Sequence, residues 1–204
     1  MNSGTLIGMM QHRIHAQPEG SAFVASDFTD LMDYDTAKKS LLRLEQAGKV
    51  RRVLRGIYDR PQYSELLQEY AAPKPDAIAS ALARNYNWTI APCGNTALNQ
   101  LGLSTQVTAN WSYISSGPYK SYTFDRVELE FLHRADKDIT GKSPKTAMII
   151  QALKALGADQ VDEAIISKLS RHLTGEEKSV LLSESQQTTA WIFAIIKRIC
   201  RGES

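Results

Sequence analysis

The side chains with chemical potential in this sequence fall into two groups: carboxylates at metal-binding spacings, and a run of bases suited to phosphate. Among the carboxylates, Glu128 and Glu130 alternate with Leu129 and Phe131, so on a strand they share one face. Two such acids, completed by Asp125 and His133, could hold a divalent cation for a metal-dependent nuclease. Phe131 and Leu132 stand where a catalytic lysine would sharpen that reading. The same alternation is what the solvated face of a half-buried strand looks like, and that is the preferred reading. A nucleotidyltransferase needs a Gly-Ser pair for the triphosphate and an Asp-x-Asp pair for Mg²⁺. Gly20-Ser21 is followed about a dozen residues on by Asp33-Tyr34-Asp35, but those acids stand where a helix start needs a cap. The other such pair is Asp136-Lys137-Asp138, which no Gly-Ser precedes at that spacing. Gly141-Lys142-Ser143 matches the end of a phosphate-binding loop, yet Asp136 occupies the position of its first glycine. Ser143 followed by Pro144 is instead a helix start. His12 and His15 lie one helical turn apart with no third ligand nearby, and Cys93 and Cys200 are far apart; surface histidines and two reduced thiols are expected. Neither a metal site nor a cofactor is expected, and the chain is read as non-enzymatic.

The bases are more telling. The chain carries +2 overall, but residues 36–60 hold eight bases against two acids, a net +6. The first 35 residues carry a net −4, and the rest balance to zero. Positive charge concentrated in a 25-residue stretch is the footprint of a surface that docks on phosphates. Candidate DNA contacts are Thr36, Lys38, Lys39 and Arg43 on one helix, and Arg51, Arg52 and Arg55 beyond it.

The elements around these residues have a recognisable order. Residues 6–16 predict a helix ended by the Gln17-Pro18-Glu19-Gly20 turn, and Phe23-Val24 an extended piece. Ser26 is placed to cap a short helix over 27–31. A helix over 35–47, closed by Gly48, carries Ala37, Leu41 and Leu44 on one stripe. Thr36, Lys39 and Arg43 lie on its opposite side, with Ser40 at the border. Residues 49–53 predict a strand, Leu54-Arg55-Gly56 a tight connection, and Ile57-Tyr58 the return strand. Helix, short helix, amphipathic helix and basic hairpin is the order of a winged helix-turn-helix, whose apolar helix face anchors it while the basic face enters the major groove. Arg55 at the hairpin tip could reach phosphate or the minor groove.

With 204 residues, 43% of them apolar, the chain suits a small domain joined to a larger one. The expected division is a winged helix over 1–60, a linker over 61–75 containing three prolines and a stretch at its middle that could form a helical turn or two, and an α+β domain over 76–204. The second domain predicts helices over 75–85 and 95–101 flanking a short strand at 88–90. A three-strand antiparallel meander over 111–133 and helices over 144–156, 161–173, 176–185 and 189–201 follow. The last helix, with Trp191, Phe193, Ile195, Ile196 and Ile199, is expected to be core, the alternative being an oligomer or toxin interface. No signal peptide is evident, and the longest apolar run, 190–196, is far short of the roughly 20 residues that cross a bilayer. The expected setting is the cytoplasm, without membrane contact. The fold class is therefore α+β: an N-terminal winged helix-turn-helix, then a larger α+β domain with a small antiparallel sheet and a helical C-terminal end.

Several stretches resemble a known family. Ser26-Asp27-Phe28, Leu41-Leu42-Arg43-Leu44, Gly48-Lys49-Val50-Arg51-Arg52 and Arg55-Gly56-Ile57-Tyr58 are similar to the winged helix of AbiEi-type antitoxins. The stretch from Gly94-Asn95-Thr96 to Leu101-Gly102-Leu103, with Ser115-Ser116-Gly117-Pro118, His133-Arg134-Ala135 and Ser143-Pro144-Lys145-Thr146-Ala147, is similar to an uncharacterised branch of that group. The resemblance spans roughly residues 20–160. It implies a repressor that binds inverted repeats in its own promoter, and an antitoxin that counters a nucleotidyltransferase toxin in an abortive-infection (phage-defence) pair, with no stable complex required. The positions it implies for DNA contact are Lys39, Arg43, Arg51, Arg52 and Arg55; it implies no residue for the antitoxin activity. The alternatives are a plain winged-helix regulator with a ligand-sensing or dimerising second domain, and the nuclease above.

Overall fold

The computed structural model describes residues 3–106, 110–134 and 139–201. The fold is α+β, and the chain divides into two compact units: residues up to Trp88 with Thr123–Val127, and Thr89–Tyr122 with Glu128 onward.

In the first unit, α1 (Ser3–Ala16) buries Met10 and Ile14, one helical turn apart. After β1 (Ala22–Phe23), a 3-10 turn spans Ala25–Phe28. Ser26 does not cap it. The Asp27 carboxylate reaches back to accept the Val24 N–H at 2.9 Å, so the cap comes from inside the turn, which spans Ala25–Phe28 as 3-10 in place of an α-helix over 27–31. α2 (Tyr34–Gln46) then buries Ala37, Ser40, Leu41 and Leu44 on the stripe facing Phe23, Phe28 and Met10. Ser40 is buried rather than at the border, its hydroxyl directed to Met32 Sδ at 3.6 Å. Gly48, at φ +67°, ends the helix, and Lys49 N–H donates to Leu44 O at 2.8 Å.

β2 (Arg51–Leu54) and β3 (Ile57–Asp59) form a hairpin, and β1 adds to the other edge of β3, giving the order β1-β3-β2. Arg52 pairs Tyr58 and Leu54 pairs Ile57, which leaves Val53 as a bulge and Arg55-Gly56 as a two-residue tip. The stretch read as a linker is folded. Instead of a helical turn it holds a small hairpin, β4 (Tyr63–Ser64) and β5 (Glu69–Tyr70), with Tyr63 edge-on to Tyr70 at 5.2 Å. Gln68 at φ +53° makes the turn, a conformation that breaks any helix there. α3 (Pro75–Tyr86) follows and buries Ile78, Ala79 and Leu82 against β1 and β3. The first unit therefore runs on to Trp88 instead of ending near residue 60: the sheet face needs an apolar cover, and α3 supplies it.

The second unit holds most of a four-stranded sheet in the order β6-β7-β9-β8: β6 (Ile90–Pro92), β7 (Asn110–Ser115), β8 (Lys120–Phe124) and β9 (Val127–His133). β6 and β7 are antiparallel, but β7 and β9 are parallel, with Tyr113 opposite Phe131. The expected meander is corrected: β9 inserts between β7 and β8. Four residues separate β7 from β8, enough chain for roughly 13 Å, so they can stride over one intervening strand, about 10 Å. That link is pinned at the end of β9, where His133 Nδ1–H donates to Gly117 O at 2.9 Å and Arg134 N–H to Ser115 O at 3.1 Å. α4 (Gly94–Gln100) and α5 (Pro144–Leu156) lie against each other, with α4 on β7 and α5 on β6. Ser143 caps α5 as its sequence predicts, accepting the Thr146 N–H at 3.3 Å. α6 (Glu163–Arg171), α7 (Gly175–Glu184) and α8 (Ala190–Arg201) complete a helical end in which Ile192, Ile196 and Ile199 pack on Ile149, Leu153 and Leu169. Among the described residues no helix is long and apolar enough to cross a membrane.

Candidate nucleic-acid interface

Asp33 sets the start of α2: its carboxylate accepts the Thr36 N–H at 2.9 Å and the Thr36 hydroxyl at 2.7 Å. These hydrogen bonds, the hydroxyl's foremost, hold the Asp33 carboxyl below its ordinary range. They also commit Thr36 to the cap. The solvent side of α2 presents Tyr34, Lys38, Lys39, Leu42 and Arg43, all exposed. The Lys38 ammonium sits over the Tyr34 ring at 5.7 Å from its centre and 4.0 Å from Asp35.

Facing this side stands the β2–β3 tip. Gly56 adopts φ +80°, a left-handed conformation that glycine takes without a Cβ clash, and Arg55 beside it is exposed. Between α2 and the tip lies a groove of about 450 Å³. Lys38 and Lys39 line it from the helix, and Arg52, Arg55 and Gly56 from the hairpin. Leu41 and Tyr58 form its base, and burial raises the Tyr58 hydroxyl's pKa, with nearby Arg52 acting the other way. Asn85 and Tyr86, from the C-terminal end of α3, also line it. Cations on two walls over an apolar base suit an anionic polymer more than a small apolar ligand.

Four of the seven expected contacts thus converge: Lys38, Lys39, Arg52 and Arg55. Arg43 is exposed on the same helix but does not line the groove. Arg51 is committed elsewhere. Its guanidinium grips the Asp59 carboxylate through Nε to Oδ1 at 3.0 Å and Nη2 to Oδ2 at 2.6 Å, and Nη1 donates to Ala71 O at 3.0 Å. Asp59, directly opposite on β3, is buried, so the pair is a fold contact, and the hydrogen bonds to Asp59 raise the Arg51 pKa further. Sequence reasoning missed Tyr34, Leu42, Asn85 and Tyr86. The first two flank Lys38 four residues to either side and were legible as a face; the last two come from α3, and only the tertiary fold brings them here.

A second cleft in this unit, about 470 Å³, is lined by Arg13, Asp27 and Arg84. Its arginines are already paired: Arg13 with Asp30 through two 2.7 Å bonds, and Arg84 with Asp27 at 2.8 and 3.1 Å. The nuclease candidates stay on separate tasks. Glu128 is exposed and Glu130 half-buried along β9, His133 holds the β7–β8 link, and Asp125, at φ +48°, makes the β8–β9 turn. Among the described residues no group of three or more His, Cys, Asp or Glu could hold a metal ion. Asp136-Lys137-Asp138 lies outside the described residues.

Residues 9–181 match the model of a family described as "Family of unknown function (DUF6088)". The chain belongs to this family. The match spans the basic groove and reaches into the second unit as far as residue 181, stopping short of α8. No curated protein matches the chain. Among solved structures, the crystal structure of the RV2827C protein from Mycobacterium tuberculosis is similar at 14% identity and a TM-score of 0.41, over 97% of this chain and 76% of that one. A likeness that distant carries no argument about fold or function.

Proposed function

We propose that this chain is a DNA-binding transcriptional autorepressor whose second unit acts as the antitoxin of a type IV toxin–antitoxin pair, countering a nucleotidyltransferase toxin in the cytoplasm. The observation that carries the DNA half is the convergence of Lys38, Lys39, Arg52 and Arg55 on one groove between an exposed helix face and a two-residue hairpin tip. In a winged helix-turn-helix reading, α2 enters the major groove, Arg55 reaches the flanking minor groove, and the phosphates between them run along the groove walls. Arg43, one turn beyond Lys39, extends the contact along the major groove. Arg51 leaves the contact set because its charge is already neutralised by Asp59. The antitoxin half is supported by the resemblance of the central motifs to AbiEi-type proteins. It requires no catalysis, cofactor or stable toxin complex.

The test is a salt-series gel shift on the DNA immediately upstream of the chain's own gene, against a scrambled duplex. Tight, sequence-preferring, salt-sensitive binding is expected, and Lys39→Ala with Arg55→Ala should shallow the salt slope by about two. Binding no better than to scrambled DNA refutes the repressor. For the antitoxin, co-expression with the neighbouring gene should rescue growth; a toxic neighbour that this chain leaves toxic overturns that half.

A further inference from the structure

We infer that the C-terminal end of α3 is a third wall of the DNA-binding groove, with Asn85 and Tyr86 bearing on the sugar–phosphate backbone of the strand that passes between α2 and the hairpin tip. This rests on the DNA-binding reading and extends the contact surface to residues outside the basic helix–hairpin block. Asn85 and Tyr86 line the same groove as Lys38, Lys39, Arg52 and Arg55, so a strand held by those cations passes within reach of both. Their chemistry fits that position. An amide and a phenol donate hydrogen bonds to phosphate oxygens without adding charge, and an aromatic ring gives the deoxyribose an apolar surface.

The end of α3 is also held in place before any ligand arrives. Tyr86 stacks on Trp88 with ring centres 4.8 Å apart and planes 22° from parallel. Arg84 is clasped to Asp27 and donates to Ala22 O at 2.9 Å. Asn87 closes the helix at φ +54°, and Trp88 N–H donates to Ala83 O at 2.8 Å. A wall ordered in advance contributes to affinity because little conformational freedom remains to be lost on binding. Such a wall reads no base edge, so it acts on every sequence alike and strengthens docking without sharpening specificity.

Full-length protein is titrated into fluorescein-labelled mixed-sequence duplex DNA across a salt series, with thermal melts of each variant. Asn85→Asp is nearly isosteric and sets a carboxylate against phosphates; binding about tenfold weaker is expected. Tyr86→Ala should weaken binding about fivefold with an unchanged salt slope, because no ionic contact is lost. Trp88 provides a local signal: its emission should change on DNA addition, and Trp88→Phe should abolish that change while Trp111 and Trp191 remain. If Arg55→Ala weakens binding but Asn85→Asp and Tyr86→Ala bind like the unaltered protein at unchanged melting temperature, the third wall is overturned and the DNA reading stands. If Lys39→Ala and Arg55→Ala also leave binding unchanged, the DNA reading falls and takes this inference with it.

Discussion

Replacing Arg51 by alanine should damage the fold and spare the proposed DNA contact, the reverse of what its place in a basic run suggests. The Arg51 side chain is 30% exposed but that of Asp59 only 1%, so the substitution strands a carboxylate that water reaches poorly. Breaking a fully buried pair costs about 3–5 kcal/mol. Here the departing guanidinium opens a path for water to Asp59, which brings the loss down to or just below the bottom of that range, about 2–3 kcal/mol. Ala71 O loses its donor as well and adds to that figure. For a unit of under 100 residues each kcal/mol shifts the melting temperature by roughly 4–8 °C, so a drop of roughly 10–20 °C is expected. Combining Arg51→Met with Asp59→Leu should recover most of it, because no buried charge is left unpaired. The assay is a thermal melt beside a DNA salt series. A melting temperature within about 2 °C of the unaltered protein, as an exposed pair would give, together with a salt slope shallower by about one, would refute the assignment of Arg51 to the fold.

Glu184 should make the second unit sensitive to acid. It is partly desolvated, which opposes ionisation, but hydrogen bonds from Thr146 and from the Ser143 N–H at 2.8 Å win and hold its carboxyl below the ordinary range. A depressed folded pKa gives stability that is present above the unfolded value and lost as pH falls through the folded one. Acid unfolding should therefore begin below about pH 4.5, and Glu184→Gln should flatten that dependence in melts followed by circular dichroism. Burial pushes the Cys93 thiol up to about 11, so it should resist thiol-labelling reagents at neutral pH until the protein unfolds, while half-buried Cys200 reacts sooner; mass spectrometry of labelled peptides decides. Arg84→Met should loosen the end of α3, weakening DNA binding about threefold while the salt slope holds, since Arg84 is paired within the unit; a slope shallower by about one would show that Arg84 itself meets phosphate.

Local elements were legible where local chemistry determines them. Ser143-Pro144 starts α5, Gly48 ends α2, and the spacing of Ala37, Leu41 and Leu44 marks the buried stripe, each through a backbone or packing demand met within one or two turns. The α+β class followed from the same periodicities. What depends on distant partners was not legible. Short turns at Ser116-Gly117-Pro118 and Asp125-Arg126 fit a meander as well as the observed order, and only the pairing of Trp111 with Leu129 and Tyr113 with Phe131 tells them apart. The prolines around 61–75 read as a linker because nothing local says that the apolar face of α3 covers β1 and β3.

The candidate site divides along the same line, and charge counting shows why. Residues 36–60 hold eight bases, but a base clasped to the fold contributes little to a docking surface, whereas Lys38, 4.0 Å from exposed Asp35, keeps its ammonium in solvent. Arg51 is held by Asp59, and Arg60 donates to His15 O at 2.8 Å and Gln17 O at 2.6 Å and lies 3.6 Å from Glu19. Asp59 lies within the run itself but meets Arg51 only through the β2–β3 register, and the partners of Arg60 come from the last turn of α1 and the turn after it, outside the run. Lys38, Lys39, Arg52 and Arg55 differ in a structural respect. They stand on two elements whose remaining faces are occupied by packing, so their side chains turn outward toward one groove. A phosphate-docking surface is thus a property of two elements meeting. The sequence shows the supply of charge, and the hairpin register with its Val53 bulge decides which cations end up sharing a wall.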